Sequence, residues 1–232
     1  MRFGARAGRA VAFALLLAAG PAAARVVELP VAADVAPYEG MPATLRGANP
    51  LLWAVGVTDP SGHDFETFLR FDLPPDLVGP GETVGLALLA LTYALDSAPQ
   101  GSGSDVPGTL ECREVLTPWA EDAVSWNARP SYGPPLAVVE GITGLGPVLC
   151  DLSALVADQA AGIRENHGFA LTNPTARLMG FYAREAQVDP GLQPALIVEL
   201  VPVPEAGRGA AGAAAALGLA VRARRRRSGG LR

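Results

Sequence analysis

Residues 119–130 read WAEDAVSWNARP and set two of the chain's three tryptophans seven residues apart, around the acidic pair Glu121-Asp122. Exposed indole rings serve as platforms for the C–H faces of sugars, because they offer a large flat area at low entropy cost. Carboxylate pairs cleave glycosides only when two of them stand about 5 to 10 Å apart across the bound sugar. Glu121 and Asp122 are adjacent in the chain and point in different directions, so they do not read as such a pair. Trp119 is the candidate sugar-stacking ring, with Arg129 and Tyr132 as candidate carbohydrate-binding partners nearby. Val124 and Trp126 fall on one face of a strand-like run, which predicts a buried Trp126. Trp53 shares a face with Leu51 and Val55 and reads as core.

A second acidic group, Asp59, Asp64 and Glu66, lies in the Gly-containing stretch TDPSGHDFE. Its hard oxygen donors suit calcium in a structural role, although the spacing is not that of an EF-hand loop. The alternative is a solvated acidic loop. Asp34 adds a ligand only if the fold brings it close. The two histidines, His63 and His167, are about a hundred residues apart, and His63 reads as a polar loop residue. The sequence contains no G-x-S-x-G, no H-E-x-x-H and no Gly-rich phosphate loop after a strand. Nothing beyond calcium is expected as a cofactor.

These residues sit in a chain that reads as β almost throughout. Apolar or alternating runs at residues 51–57, 67–73, 84–95, 109–116, 135–141, 147–152, 168–173, 178–185 and 194–201 are separated by Gly, Pro, Asn and Asp, as in a sandwich or barrel. In TFLRFDL, Leu69, Phe71 and Leu73 alternate with Phe68, Arg70 and Asp72, the pattern of a half-buried strand. One helix is predicted at 152–163, with Leu152, Leu155, Val156, Ala160 and Ile163 on one face and Asp151 or Ser153 as N-cap. No linker splits this body, and no internal repeat is present. The expectation is all-β: one jelly-roll-like antiparallel sandwich over residues 25–201 with one short helix.

Both ends differ from the body. Residues 1–24 place three arginines before the apolar run AVAFALLLAA and a PAAA site, the order of a secretory signal peptide. The apolar run is shorter than the roughly 20 residues a membrane-spanning helix needs. Residues 202–232 contain Pro204-Glu205, a weak apolar stretch and an arginine cluster, an order similar to PEP-CTERM sorting tails. Ala206 replaces the second proline of that motif. A basic tail that binds anionic lipid or nucleic acid is the alternative. Lysine is absent, and residues 25–203 hold eight arginines against 22 carboxylates, a net charge of −14 that the whole-chain value of −5 conceals. Such a body repels nucleic acid and anionic membranes, so nucleic-acid binding is excluded.

Cys112 and Cys150 are the only cysteines, and an even count in an exported chain predicts a disulfide between them. Two separately buried thiols are the alternative. Arg70 with Asp72, and Arg184 with Glu185, read as ion pairs. A polyanionic glycan would need a local cluster drawn from Arg46, Arg113, Arg129, Arg164, Arg177 and Arg184, or calcium.

Taken in order, FLRFDLP, ALLALTYAL, WAEDAVSWNARP, LCDLSALVADQAAGIRENHGFAL, FYAREA and PALIVEL resemble DNRLRE-domain proteins, extracellular β-sandwich modules also grouped as a carbohydrate-binding module family. Trp119, Glu121, Val124, Ser125, Trp126, Asn127 and Pro130 match the family's W-x-E-x-x-V-[ST]-W-N-x-x-P. At the helix entry Gln159 stands where the family usually has tryptophan. The resemblance implies a jelly-roll-like sandwich and, for some members, polysaccharide binding, alginate included. The expected function is therefore an exported, non-catalytic, monomeric module that binds polysaccharide or extracellular matrix at the cell surface, or is released from it. Its C-terminal tail would engage sorting machinery. The competing readings are a glycosidase or lyase and a purely structural surface protein.

Overall fold

The computed structural model describes residues 23–54, 64–97, 107–175 and 177–203. The signal-peptide-like start, the sorting-like tail and the stretch that holds Asp59 and His63 lie outside the described residues. Eleven strands are found among them: β1 (Arg25–Pro30), β2 (Ala33–Val35), β3 (Leu51–Ala54), β4 (Thr67–Arg70), β5 (Glu82–Ser97), β6 (Gly108–Val115), β7 (Tyr132–Ile142), β8 (Gly146–Asp151), β9 (Phe169–Thr172), β10 (Leu178–Tyr182) and β11 (Ala195–Pro202). The one α-helix among the described residues, α1, spans Ser153–Ala160.

The strands form two antiparallel sheets. The larger runs β1-β11-β5-β10-β3, with β8 also paired to β5, and the smaller runs β2-β4-β9-β6-β7. The fold is the all-β sandwich expected. The long β5 is the spine of the larger sheet, since it pairs in turn with β11, β8 and β10. Its alternating Leu89 and Leu91 point inward with Leu196, Val198 and Phe181, against Leu69, Leu110, Phe169 and Leu171 of the smaller sheet. At roughly 25 cal/mol per Å² of apolar surface removed from water, this layer supplies most of the driving force for folding.

Cys112 on β6 and Cys150 on β8 form a disulfide, with Cα atoms 6.6 Å apart. Cys112 pairs in register with Leu171 of the smaller sheet and Cys150 with Leu89 of the larger, so the bond crosses the core and joins the two layers.

Three local expectations are corrected. Phe68 was expected on a solvated face, yet it is 0% exposed. A second, smaller core of Val35, Phe68, Val115, Val124 and Ala170 lies apart from the main one, with Trp119 and Tyr132 packed on it. The chain between β6 and β7 thus roofs the outer surface of the smaller sheet. Trp126 does not continue a strand with Val124. It opens a 3-10 turn, Trp126–Ala128, with no buried residue. The helix ends at Ala160 rather than at 163, and Ile163 is 72% exposed. Gly162 (φ +69°) turns the chain away there, a left-handed conformation glycine adopts without penalty.

Candidate functional site

The loop 116–131 is closed at its base, where the Leu116 amide donates to the Ser131 carbonyl at 2.8 Å and the Ser131 amide to Thr117 Oγ1 at 3.0 Å. It has the size and the near-touching ends of a compact Ω-loop. Trp119 holds it to the sheet. The indole Nε1–H donates to the His167 carbonyl at 2.8 Å, the ring tilts against Phe68 at 6.3 Å, and Arg70 donates to the Trp119 carbonyl at 3.1 Å. Arg70 reaches Asp72 only at 3.9 Å, so its main partner is this loop. The His167 carbonyl is presented from the turn before β9. Gly168 is required in that turn, because its φ is +90° and a Cβ would lie 2.1 Å from the Leu69 carbonyl oxygen.

Two polar clusters flank the roofing loop. The first gathers Glu66, Arg113, Arg129 and Tyr132. The Tyr132 hydroxyl donates to Glu66 Oε1 at 2.8 Å, and Arg129 Nε lies 3.2 Å from Glu66 Oε2. The Arg129 guanidinium sits 3.8 Å from the centre of the Trp126 ring, and that of Arg113 is 5.5 Å from the Tyr132 ring. Arg113 is fixed further by Glu111 (2.6 Å), Thr172 (2.9 Å) and the Gly133 carbonyl (3.0 Å). Burial pushes the Glu66 carboxyl up, against the Tyr132 hydrogen bond and the two arginines. Burial and then the Glu66 charge push the Tyr132 phenol up to about 12. Rings half open to solvent, guanidinium donors and carboxylate acceptors form a surface suited to sugar hydroxyls and sugar faces.

The second cluster is acidic. Asp34 on β2, Glu121 in the roofing loop and Glu185 after β10 bring carboxylate oxygens within 4.8 Å of one another. Arg184 is the cation among them. Its Nη2 donates to both Glu121 oxygens at 2.9 Å and lies 2.8 Å from Glu185 Oε1, and its backbone amide donates to Asp34 Oδ2 at 2.8 Å. The Arg184–Glu185 pair expected from sequence is thus present within a larger group. Asp34 is 1% exposed. Burial pushes its carboxyl up to about 7, eased by the Arg184 amide and reinforced by Glu185 and Glu121.

The structure regroups the residues singled out in the sequence. Arg129 and Tyr132 meet, and they meet Glu66, which was read as a calcium ligand. Asp64 is separately tied to Glu39, to which its backbone amide donates at 3.2 Å. Asp34 joins Glu121 and Glu185. Of the arginines considered for a glycan cluster, Arg113 and Arg129 share one site. Arg164 pairs with Glu114 and Asp158, and Arg46 lies over the Tyr38 and Phe65 rings. His167 Nε2 lies 2.9 Å from Glu165, away from both clusters. Sequence reasoning missed Glu111, Thr172 and the Asp34–Glu185 approach. Alternation along β6 and β9 places Glu111, Arg113 and Thr172 away from the main core, a signal that was available.

No curated protein matches the chain. A family profile does, across residues 38–199, which takes in eight of the eleven strands, most of a ninth, and both polar clusters apart from Asp34. With well over half its length matched, the chain belongs to carbohydrate-binding module family 96.

Proposed function

We propose that this is a non-catalytic module that binds polysaccharide outside the cell through the Trp126–Arg129–Tyr132–Arg113 surface. The observation that carries this reading is the pairing of each half-exposed ring with a guanidinium, Arg129 on Trp126 and Arg113 on Tyr132. Stacked arginines present donors along the edges of the rings, so a sugar could contact ring and guanidinium together. Glu66 and Glu111 hold the arginines in place and offer acceptors for sugar hydroxyls. Trp119, whose Nε1–H is spent on His167, supports this surface from below. The −14 charge of the body favours a neutral glycan over a polyanion such as alginate. Export by the signal-peptide-like start and retention through the C-terminal tail complete the reading, and the disulfide is consistent with an oxidising compartment.

The test is binding of the full chain to a panel of neutral and acidic polysaccharides, with reducing-end release measured in parallel. Binding of a neutral glycan that falls at least tenfold in Arg129→Ala/Tyr132→Ala, at an unchanged circular dichroism spectrum, is the expected result. Binding unaffected by the double substitution would displace the site. Turnover of any polysaccharide would replace the module by an enzyme.

A further inference from the structure

We propose that Asp34, Glu121 and Glu185 form a binding site for one hard divalent cation, calcium in particular. The inference is independent of the carbohydrate surface. Asp34 Oδ1 and Glu185 Oε2 are both buried and accept no hydrogen bond, although Asp34 is 1% exposed. A buried carboxylate oxygen left without a donor costs free energy, so such groups call for a partner. Neighbouring side chains provide no donor, since Glu185, which faces Asp34, can bond it only when one of the two carboxyls is protonated. The Arg184 guanidinium is already divided among Glu121, Glu185 and the Ala32 carbonyl, and its backbone amide serves the other Asp34 oxygen.

Charge leads to the same conclusion. Once ionised, three carboxylates against one arginine leave two negative charges at a site where Asp34 is buried and Glu121 and Glu185 are partly exposed, and a divalent ion cancels them. All the donors are oxygens, with no imidazole or thiolate in the group, which selects a hard cation over zinc or copper. Oxygens within 4.8 Å of one another can converge on a single ion with bonds of roughly 2.3 to 2.6 Å, the calcium range. Glu121 is pressed into place from above, where a Cβ on Gly47 would lie 2.8 Å from its Cγ. A bound ion would clamp together β2, the roofing loop and the turn after β10, three segments that sequence separates by up to 151 positions.

The alternative occupant of the gap is a proton shared between Asp34 and Glu185, and a metal titration separates the two. The full chain, freed of metal with a chelator, is titrated with calcium chloride at neutral pH by calorimetry and then melted. One calcium per chain is expected, with a melting temperature raised by roughly 5 to 10 °C at a concentration about 100 times Kd. Asp34→Asn, which keeps an acceptor for the Arg184 amide, should abolish both signals. Glu185→Gln, at a less buried position, should do the same and guards against a folding defect in the first variant. Asp64→Asn should leave both intact. Absence of binding heat and of any melting shift would overturn the proposal in favour of the shared proton. Calcium binding that survives the first two variants and vanishes in Asp64→Asn would overturn it in favour of the 59–66 loop.

Discussion

The two polar clusters sit on either side of one roofing loop and are built from the same residue types, yet their charge balances are opposite. Glu66 is answered by two arginines and a phenol, while Asp34, Glu121 and Glu185 share a single arginine. In the first, Glu66 Oε1 accepts from the Tyr132 hydroxyl and Oε2, which has no hydrogen bond, is met by Arg129 as an ion pair at 3.2 Å, so that what remains open to solvent is ring face and guanidinium edge. In the second, acceptors outnumber donors and two buried oxygens are left over. Clusters of the first kind present a surface to a neutral polar ligand, whereas those of the second kind attract a cation. Composition alone does not distinguish them, because both are acid and arginine in an acidic body.

The largest expected effect tests whether the clusters are mechanically separate. The disulfide links β6, which carries Glu111 and Arg113, to β8 of the opposite sheet, and it closes a loop of 38 residues. Cys112→Ala with Cys150→Ala should lower the unfolding free energy by about 4 kcal/mol in the chain-entropy picture. Denaturant melts at neutral pH measure this. Glycan affinity should fall because the β6 platform loosens, while the calcium-induced melting shift should persist. Loss of the calcium response as well would show that the clusters form one unit.

The two tryptophans divide the loop in the same way. Trp119→Ala removes a ring packed on Phe68 and an N–H bonded to His167, at a cost of about 3 kcal/mol. Trp126→Ala removes a half-exposed ring and should cost about 1 kcal/mol or less, with its effect concentrated on glycan binding. Thermal melts paired with binding assays rank them. A Trp126 variant that melts far below the Trp119 variant would reverse the assignment.

Removing one cation from each cluster tests the charge balance directly. Arg184→Met leaves three carboxylates without a counter-charge. With its side chain 39% exposed, solvent screens part of the cost, leaving about 2 kcal/mol in calcium-free buffer. Added calcium should recover much of that loss. Arg129→Met leaves Glu66 with Tyr132 and Arg113, so it should cost about 0.5 to 1 kcal/mol, with no recovery on adding calcium. Equal costs for the two would remove the distinction between the clusters.

Much of this architecture was legible in the chain. Alternation and Gly/Pro punctuation locate nine of the strands, and the cysteine count pairs Cys112 with Cys150. Where the reading failed, the cause was tertiary. Phe68 sits at an outward position of β4, and only a roof supplied by residues some fifty positions later buries it. Trp126 follows Val124 and Ser125 in a strand-like pattern that a 3-10 turn overrides. The three-residue β2 is too short for any periodic signal. Its Asp34 meets Glu121 and Glu185 because β2 pairs with β4 at the edge of the smaller sheet, a topological fact that local sequence does not carry. Glu66 illustrates the converse. Its acidic neighbours suggest a calcium ligand, and its contacts with Tyr132 and Arg129 come from residues some sixty positions later that local sequence does not announce.

The smallest expected effect concerns Tyr132, whose folded-state pKa of about 12 lies above the usual 10 for tyrosine, first through burial and then through the Glu66 charge. A raised pKa means that the folded protein holds the phenolic proton more tightly than the unfolded chain. The associated stability is therefore fully present below about pH 10 and is lost as pH rises towards 12. Unfolding free energy should fall more steeply across that window in the native protein than in Tyr132→Phe. Glu66→Gln should shift the titration back towards the ordinary value without reaching it, because burial is the leading cause. Ultraviolet difference titration of the three proteins follows the phenolate directly. Calcium should leave this titration unchanged, since the ion would reside in the other cluster. A calcium-dependent shift of the Tyr132 titration would mean that the roofing loop transmits charge or movement from one cluster to the other.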